Sequence, residues 1–393
     1  MSFFVIVVVV LSLMYGYVGW RLIVPAAFAL PVNILLWLSL AALLVLPFIP
    51  VVTRLHSTNG GWSNLIAWVA YLTFGFVTVL FAFVVARDVL MLLMPLAQKL
   101  TNLFGSSGGG ESLADPERRR MLVNATNLGL LGVTGALTGY GLFEAMRTPK
   151  VVRIDIPVAD LPPGLHGYTI AQISDVHVSH TIRRSFVQKV VDEVNRLKPD
   201  MVALTGDLVD GSVDQLREDV ASLALLQAPD GLFFITGNHE YYSGVQQWVD
   251  ETRRLGFDVL LNEHRVIERS NAKLLLGGVT DYSGGGFRTD HKSDPHRAIE
   301  GAPDCHLKIL LAHQPVSIYE AEKAGFDYVL SGHTHGGQYF PYHFLVGLFQ
   351  PYVAGLHQHG NTRIYVSRGA GYWGPQIRIG APSEITVHRF VRA

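Results

Sequence analysis

Hydrophobic and polar positions divide the 393-residue chain into two unlike halves. Up to about residue 150, apolar residues run on with few charges between them. Four stretches, about 3–20, 26–49, 65–86 and 121–143, approach or exceed the roughly 20 apolar residues that a helix needs to cross a bilayer. The third stays apolar as far as Met94, which implies a tilted helix or one that extends past the lipid. The fourth is rich in Gly and Thr and carries Asn124 and Asn127. Residues 1–150 are therefore expected to form a transmembrane region of about four helices. The Gly- and Ser-rich stretch Gly105–Glu111 reads as a flexible loop within it.

From about residue 151 the pattern shortens. Apolar runs at Tyr168–Ser174, Met201–Thr205 and Leu232–Thr236 have the length of buried strands. Between them, Ser185–Leu197, Leu216–Leu226 and Val245–Leu255 repeat apolar residues at helical spacing. Further strands are expected at Leu274–Val279, Lys308–Ala312, Tyr328–Ser331, Ile364–Ser367 and Glu384–Phe390, with fewer helices between them. Alternating strands and helices imply βαβ units. The whole of 151–393 reads as an α/β domain, with two mixed sheets packed face to face and helices outside.

Charge changes the picture in two ways. The net charge of -1 argues against a dedicated nucleic-acid binder, which needs a basic patch. The few basic residues of the first half also set an orientation. Arg21 in the first loop and Arg87, Lys99, Arg118, Arg119 and Arg120 in the third total six, against Arg54 alone in the second. Positive residues favour the cytoplasmic side. An integral protein of the bacterial inner membrane, with the C-terminal domain on the extracytoplasmic face, is the expectation. A twin-Arg reading of Arg119-Arg120 as an export signal leads to the same face. The single Cys305 excludes an internal disulfide and a cysteine-based zinc site.

Candidate chemistry sits at the ends of the expected strands. In order come Asp175-Val176-His177, Gly206-Asp207-Leu208-Val209-Asp210, Gly237-Asn238-His239-Glu240, Ala312-His313 and Gly332-His333-Thr334-His335. In α/β sheets, ligands collect beyond the carboxyl ends of strands. Mixed carboxylate, imidazole and amide donors suit Mn, Fe, Zn or Co better than Ca or Mg. The inventory suffices for two divalent ions, which together can clamp a phosphoryl group in transfer. His239-Glu240 is not a zincin motif, because Ser243 stands where the second His is needed. No phosphate-binding loop of the G-x-x-x-x-G-K-[ST] type occurs. His180, His264, His357, His359 and His388 belong to no motif and read as ordinary hydrogen-bonding residues. His291 and His296 in the polar loop Gly284–Cys305, and His306 directly after it, are further candidates to touch a substrate.

This ordered set resembles the calcineurin-like metallophosphoesterase family over about residues 166–393. The longer phrase Ser331–Gln338 is similar to its membrane-linked bacterial branch of YaeI- and YkuE-like phosphodiesterases. The resemblance implies that Asp175, His177 and His335 hold one metal, that Asp207 bridges, and that Asn238, His313 and His333 hold the second. It implies attack on phosphorus by a metal-bound hydroxide, with His239 as the general acid. Asp210 and Glu240 would orient imidazoles, although Asp210 reads equally well as a helix N-cap. Arg368, in Arg368-Gly369-Ala370-Gly371, would pair with a phosphate or stand as a solvated turn residue. The apolar loop Phe344–Phe349 would reach toward lipid or pack in the core. Membrane lipids and a phosphoester of the envelope are the expected partners. Two other readings stay open: a non-catalytic metal-binding module on a transporter or sensor, and a cytosol-facing lipid-nucleotide pyrophosphatase if the topology is inverted.

Overall fold

A computed structural model describes residues 2–50, 61–103 and 116–393. Arg54 and the stretch Gly105–Glu111 lie outside the described residues. The chain divides into two compact units, 1–140 and 141–393.

The first unit is built from helices Ser2–Ala26, Leu30–Val45, Gly61–Leu103 and the greater part of Pro116–Met146. Four segments, Phe4–Ala26, Leu30–Pro50, Trp62–Met94 and Arg120–Met146, are long and apolar enough to cross a membrane. Helix Leu30–Val45 buries none of its residues fully; Leu40, Leu43 and Leu44 pack against Met14, Tyr15, Val18, Val77, Leu80 and Val84, while Leu30, Leu35 and Leu38 face outward. Helix Gly61–Leu103 has 43 residues; at ~1.5 Å per residue it is about twice as long as the hydrocarbon core is thick. It runs well past the expected end at residue 86, and this places Arg87 and Asp88 inside a helix. Both are paired there. The Asp88 carboxylate accepts from Tyr17 Oη and from Arg21 at 2.6 Å. Arg87 Nε donates to Asp88 at 3.0 Å, and a second Arg87 nitrogen donates to Asn127. An ionic group at membrane depth is tolerated when its partners are also protein groups.

The second unit holds two six-stranded sheets. The first has the order β1 (Lys150–Val158), β12 (Glu384–Arg392), β2 (Thr169–Ile173), β3 (Met201–Leu204), β4 (Leu232–Phe234) and β5 (Asp258–Val259). The second runs β10 (Gly355–His359), β11 (Thr362–Val366), β9 (Tyr328–Ser331), β8 (Leu307–Leu311), β7 (Ala272–Gly278) and β6 (Glu263–Arg269). Both are mixed: β2 to β5 are parallel while β12 is antiparallel to β2, and β7, β8, β9 and β11 are parallel while β6 and β10 are antiparallel at the edges.

Strand side chains alternate between faces, and here the alternation sorts them into layers. Ile170, Met201 and Ala203 of the first sheet meet Leu307, Ile309, Leu311, Tyr328 and Leu330 of the second in an inter-sheet core. Ala171, Ile173, Val202 and Leu204 point the other way. They pack on helix Arg184–Leu197 through Phe186, Val187, Val190, Val191 and Val194, a 3.6-residue stripe. On the far side, Leu310 and Val329 pack on helix Ile318–Lys323 through Ile318 and Ala321. The result is helices, sheet, sheet, helices.

One polar chain crosses the apolar inter-sheet layer. Gln172 Nε2 donates to Thr205 Oγ1 and to Ser331 O, each at 2.9 Å. Its Oε1 therefore accepts from His388 Nε2 at 3.1 Å, which leaves His388 Nδ1 to accept from Tyr328 Oη at 2.9 Å. Burial lowers the His388 pKa to about 3, so the ring is neutral and this tautomer is the one present. Thr205 follows β3 and Ser331 ends β9, immediately before two of the Asp- and His-bearing phrases. Gln172 thus ties the ends of strands from both sheets together. Gln172→Leu keeps the volume but leaves the buried His388 Nε2 without an acceptor and takes one donor from Thr205 Oγ1 and one from Ser331 O, a cost of about 1–3 kcal/mol. The full chain in detergent is expected to melt roughly 4–8 °C lower; an unchanged Tm would show that the tie carries no stability.

Candidate metal centre

Loops at the carboxyl ends of β2, β3, β4, β8 and β9 converge. Those after β2 and β3 run side by side: Asp175 N donates to Gly206 O, His177 N to Asp207 O, and Val178 N to Leu208 O. Asp175, His177, Asp207, His333 and His335 all have positive φ. A non-glycine residue held there costs roughly 1–2 kcal/mol. Such strain persists only where surrounding contacts impose it, and it concentrates at functional sites.

The side chains form three groups. Asp175, His177 and His335 bring one ligand atom each within 4.8 Å of one another, as do Asp207, His313 and His333, and also His177, Asp210 and His239. In the first, His177 Nε2 and His335 Nε2 face each other at 3.0 Å, an arrangement in which a single proton at most fits between two lone-pair atoms. Asp175 accepts from His333 N at 2.9 Å and lies 3.6 Å from His335 Nε2. In the second, His313 Nδ1 donates to Thr205 O at 2.8 Å, so its Nε2 lone pair is turned inward. That Nε2 lies 3.0 Å from Asp207 Oδ2 without hydrogen-bond geometry toward it. Asn238 Oδ1 is likewise buried without a partner. Buried acceptors are rarely left unpaired. Inward-facing lone pairs on imidazole, carboxylate and amide are the donor set that transition-type divalent cations take, so the residues fit a metal pair.

Asp207 stands between the groups. Its Oδ2 is 3.8 Å from His177 Nε2 and 3.9 Å from His239 Nε2, and its Oδ1 accepts from His239 N at 2.9 Å. Burial alone would raise its pKa, but His313, His239 and His177 hold it well below the usual carboxylate range. The third group is an acid–base pair. The Asp210 carboxylate bonds His239 Nδ1 and lies 3.2 Å from His177 Nδ1. Burial disfavours charge on His239, yet Asp210 and Asp207 lift its pKa to about 9.

The structure decides between the readings of Asp210, and it corrects those of Glu240 and Arg368. Helix Val213–Val220 is capped by Ser212 with Gln215, not by Asp210, whose carboxylate serves two imidazoles. Glu240 orients backbone instead of a ring: it accepts from Asp207 N at 3.0 Å, Leu208 N at 2.8 Å and Gly237 N at 2.6 Å. Arg368 is a half-buried residue and not a freely solvated one: its Nη1 pairs with the buried Glu384 at 2.8 Å. The glycines after it serve close approach to protein backbone. A Cβ on Gly371 would lie 1.9 Å from Val176 O.

Arg378, absent from the motif reading, is buried and donates to Gly371 O at 2.8 Å, Ala381 O at 2.9 Å and His335 Nδ1 at 3.1 Å. Asp281 was also missed. It is buried and accepts from Gln314 Nε2 at 3.1 Å. Neither stands in a recognisable phrase, so only its partners reveal it. Among the other histidines, His291 bonds Tyr241 Oη, His264 bonds Ala298 O, and His306 accepts from Lys273 N. His296 lies 3.7 Å from Glu320. The expected loop Phe344–Phe349 is partly a short helix, Tyr342–Val346, and its Phe344, Leu345, Leu348 and Phe349 are exposed, which does not fit core packing.

With this geometry in place, three comparisons bear on it. The calcineurin-like phosphoesterase family model matches residues 168–337. A zebrafish (Danio rerio) protein named transmembrane protein with metallophosphoesterase domain is 38% identical over 262 residues, covering 65% of this chain and 60% of its own. An uncharacterized metallophosphoesterase of Helicobacter pylori is 38% identical over 281 residues, covering 70% and 73%. One from Aquifex aeolicus is 34% identical over 260 residues, covering 66% and 95%. The match spans less than two thirds of the length of the zebrafish and cattle (Bos taurus) proteins, at 60% and 65%.

Gly332 tests the first group. A Cβ there would meet Asp175 Oδ2 at 2.3 Å and Ser174 Oγ at 2.0 Å. Gly332→Ala is expected to turn the Asp175 carboxylate away and weaken Mn or Zn uptake at least about tenfold, read by competition with a chromophoric chelator. Unaltered affinity would remove Asp175 from the metal centre.

Proposed function

The chain belongs to the calcineurin-like metallophosphoesterase family, and from that premise we propose that its C-terminal domain hydrolyses phosphoesters, phosphodiesters before monoesters, at a dinuclear metal centre. The observation that carries the proposal is the setting of Asp207: one buried carboxylate within 4 Å of three imidazoles, two of them in different candidate metal groups. Asp175, His177 and His335 would hold one cation, Asn238, His313 and His333 the other, with Asp207 between them. Mn, Fe, Zn or Co all suit these donors. Bound there, the cations supply Lewis acidity to the phosphoryl group and to the attacking water.

The chain's own groups do the rest. Asp210 accepts from His239 Nδ1, so the proton on Nε2 is the one presented toward the site. As the water oxygen bonds to phosphorus, the bond from phosphorus to the departing oxygen breaks, and that oxygen takes the Nε2 proton of His239. Glu240 holds Asp207, Leu208 and Gly237 by their N–H groups and so fixes two loops against each other.

The membrane-capable helices and the transmembrane name of the zebrafish relative support attachment to a bilayer. Lys99, Arg118, Arg119 and Arg120 favour a cytoplasmic position for the connection between the third and fourth helices, even with Arg21 and Arg87 neutralised beside Asp88. The domain would then face the extracytoplasmic side, and an envelope phosphodiester such as a phospholipid or a lipid-linked pyrophosphate is the substrate class proposed.

The direct test is hydrolysis of bis(p-nitrophenyl) phosphate and p-nitrophenyl phosphate by the full chain, with Mn, Zn, Fe, Co or no metal. Asp207→Ala and His239→Ala are expected to lose about 100-fold or more in kcat/KM. Metal-independent turnover, or turnover indifferent to both changes, would overturn the proposal. A second test uses pH. His239 works protonated, so activity is present below its pKa and lost as pH rises through it. Asp210→Asn removes an anion that raises that pKa. The alkaline limb of the kcat/KM profile is expected to move about one to two units toward acid, and a limb that stays put or moves to higher pH would exclude His239 as the acid.

A further inference from the structure

The histidine proposed as the acid is flanked by aromatic rings, one of which, Tyr242, also bonds the side chain of Asn238 through its hydroxyl. The Tyr242 ring lies 5.2 Å from His239 and the Trp373 indole 5.8 Å, both edge-to-face. Phe287 extends the group, 5.6 Å from Tyr242. Tyr242, Phe287 and Trp373 are 54%, 53% and 47% exposed, so half of each ring is open to solvent beside the buried imidazole.

Trp373 is not loose. Gln338, buried and held at a φ of 49°, uses its whole amide on the backbone of the Trp373 loop. Its Oε1 accepts from Trp373 N at 3.0 Å, and its Nε2 donates to Trp373 O at 3.0 Å and to Pro375 O at 2.9 Å. Gln338 lies three residues beyond His335, so a residue next to the metal-type ligands carries the indole. An isolated exposed aromatic is ordinary. A buried amide, on a backbone held at positive φ, that fixes the main chain of a half-exposed Trp beside the acid is a built feature.

We propose that Tyr242, Phe287 and Trp373 form a binding rim for an apolar group carried on the departing oxygen of the substrate. The inference rests on the role of His239 proposed above: rings against the donor of the leaving-group proton border the leaving group, not the phosphoryl oxygens. The ligand is an ester whose departing alcohol presents a flat ring or an alkyl chain next to the phosphate. Rings edge-to-face at these distances accept either, because both gain by displacing water from aromatic surface.

Phosphonates in which carbon replaces the departing oxygen isolate the rim from turnover. Binding of benzylphosphonate, heptylphosphonate and methylphosphonate to the full chain in lipid nanodiscs, loaded with Mn, is measured by calorimetry. The wild-type protein is expected to bind the benzyl or heptyl compound about tenfold more tightly than the methyl one, in line with partial burial of one aromatic or alkyl group. Preference for benzyl alone identifies a flat ring, for heptyl alone an alkyl chain; either supports the rim. The advantage over methyl is expected to fall below about threefold in Trp373→Ala and in Gln338→Leu, and to be largely kept in Trp373→Phe. A wild-type protein that does not distinguish the three compounds, or a Trp373→Ala variant that keeps the full advantage, overturns the rim. Discrimination among phosphonates without hydrolysis of any p-nitrophenyl ester would instead sink the hydrolase reading, and with it the assignment of the rim to a departing group, leaving only an apolar binding surface.

Discussion

Burying the charge of Asp207 is the constraint on which the rest of the domain depends. A carboxylate moved out of water loses solvation that is worth many kcal/mol unless other groups replace it. Here a backbone amide and three nearby imidazoles take the place of water. One oxygen takes the His239 amide, the other faces the imidazoles of His313, His177 and His239. Glu240 in turn holds the Asp207 amide. The partners come from the loops after β2, β4 and β8, so satisfying one charge requires the ends of several strands to arrive together.

That requirement explains where the strain lies. Five Asp and His residues of the site hold positive φ at strand ends, while the strands themselves are regular. The loops cannot relax singly, because Asp175 bonds the His333 amide and Gln172 bonds both Thr205 and Ser331. The two sheets present their ligands as one rigid body of cross-linked turns. Preorganisation of this kind is what electrostatic catalysis needs, since groups already in place cost nothing to reorganise when charge develops.

The polar cluster of the first unit follows the same logic in a different solvent. Asp88 neutralises Arg21 and bonds Tyr17, and Arg87 bonds Asn127, so helices that expose apolar surface share one internal polar knot. Charge is admitted to the interior of either unit only where several partners surround it.

Composition, period and order along the chain were enough for the coarse design. Apolar stretches marked the membrane-capable helices, and short apolar runs marked the five strands that carry the site, because buried parallel strands are short and almost wholly apolar. Asp and His residues at the ends of those runs were legible as a set. Four strands were not: β1, the two-residue β5, and the edge strands β6 and β10, where solvent on one side dilutes the apolar signal with Lys, Arg, Glu and His. Only the tertiary structure decided that Glu240 clamps backbone, that Arg368 belongs to Glu384, that Arg378 braces His335, and that Gln338 presents Trp373. Each of these is a hydrogen bond between positions three to 43 residues apart. A side chain's capacity to bond is written in its residue type, but its partner is chosen by whichever group the fold leaves unsatisfied beside it.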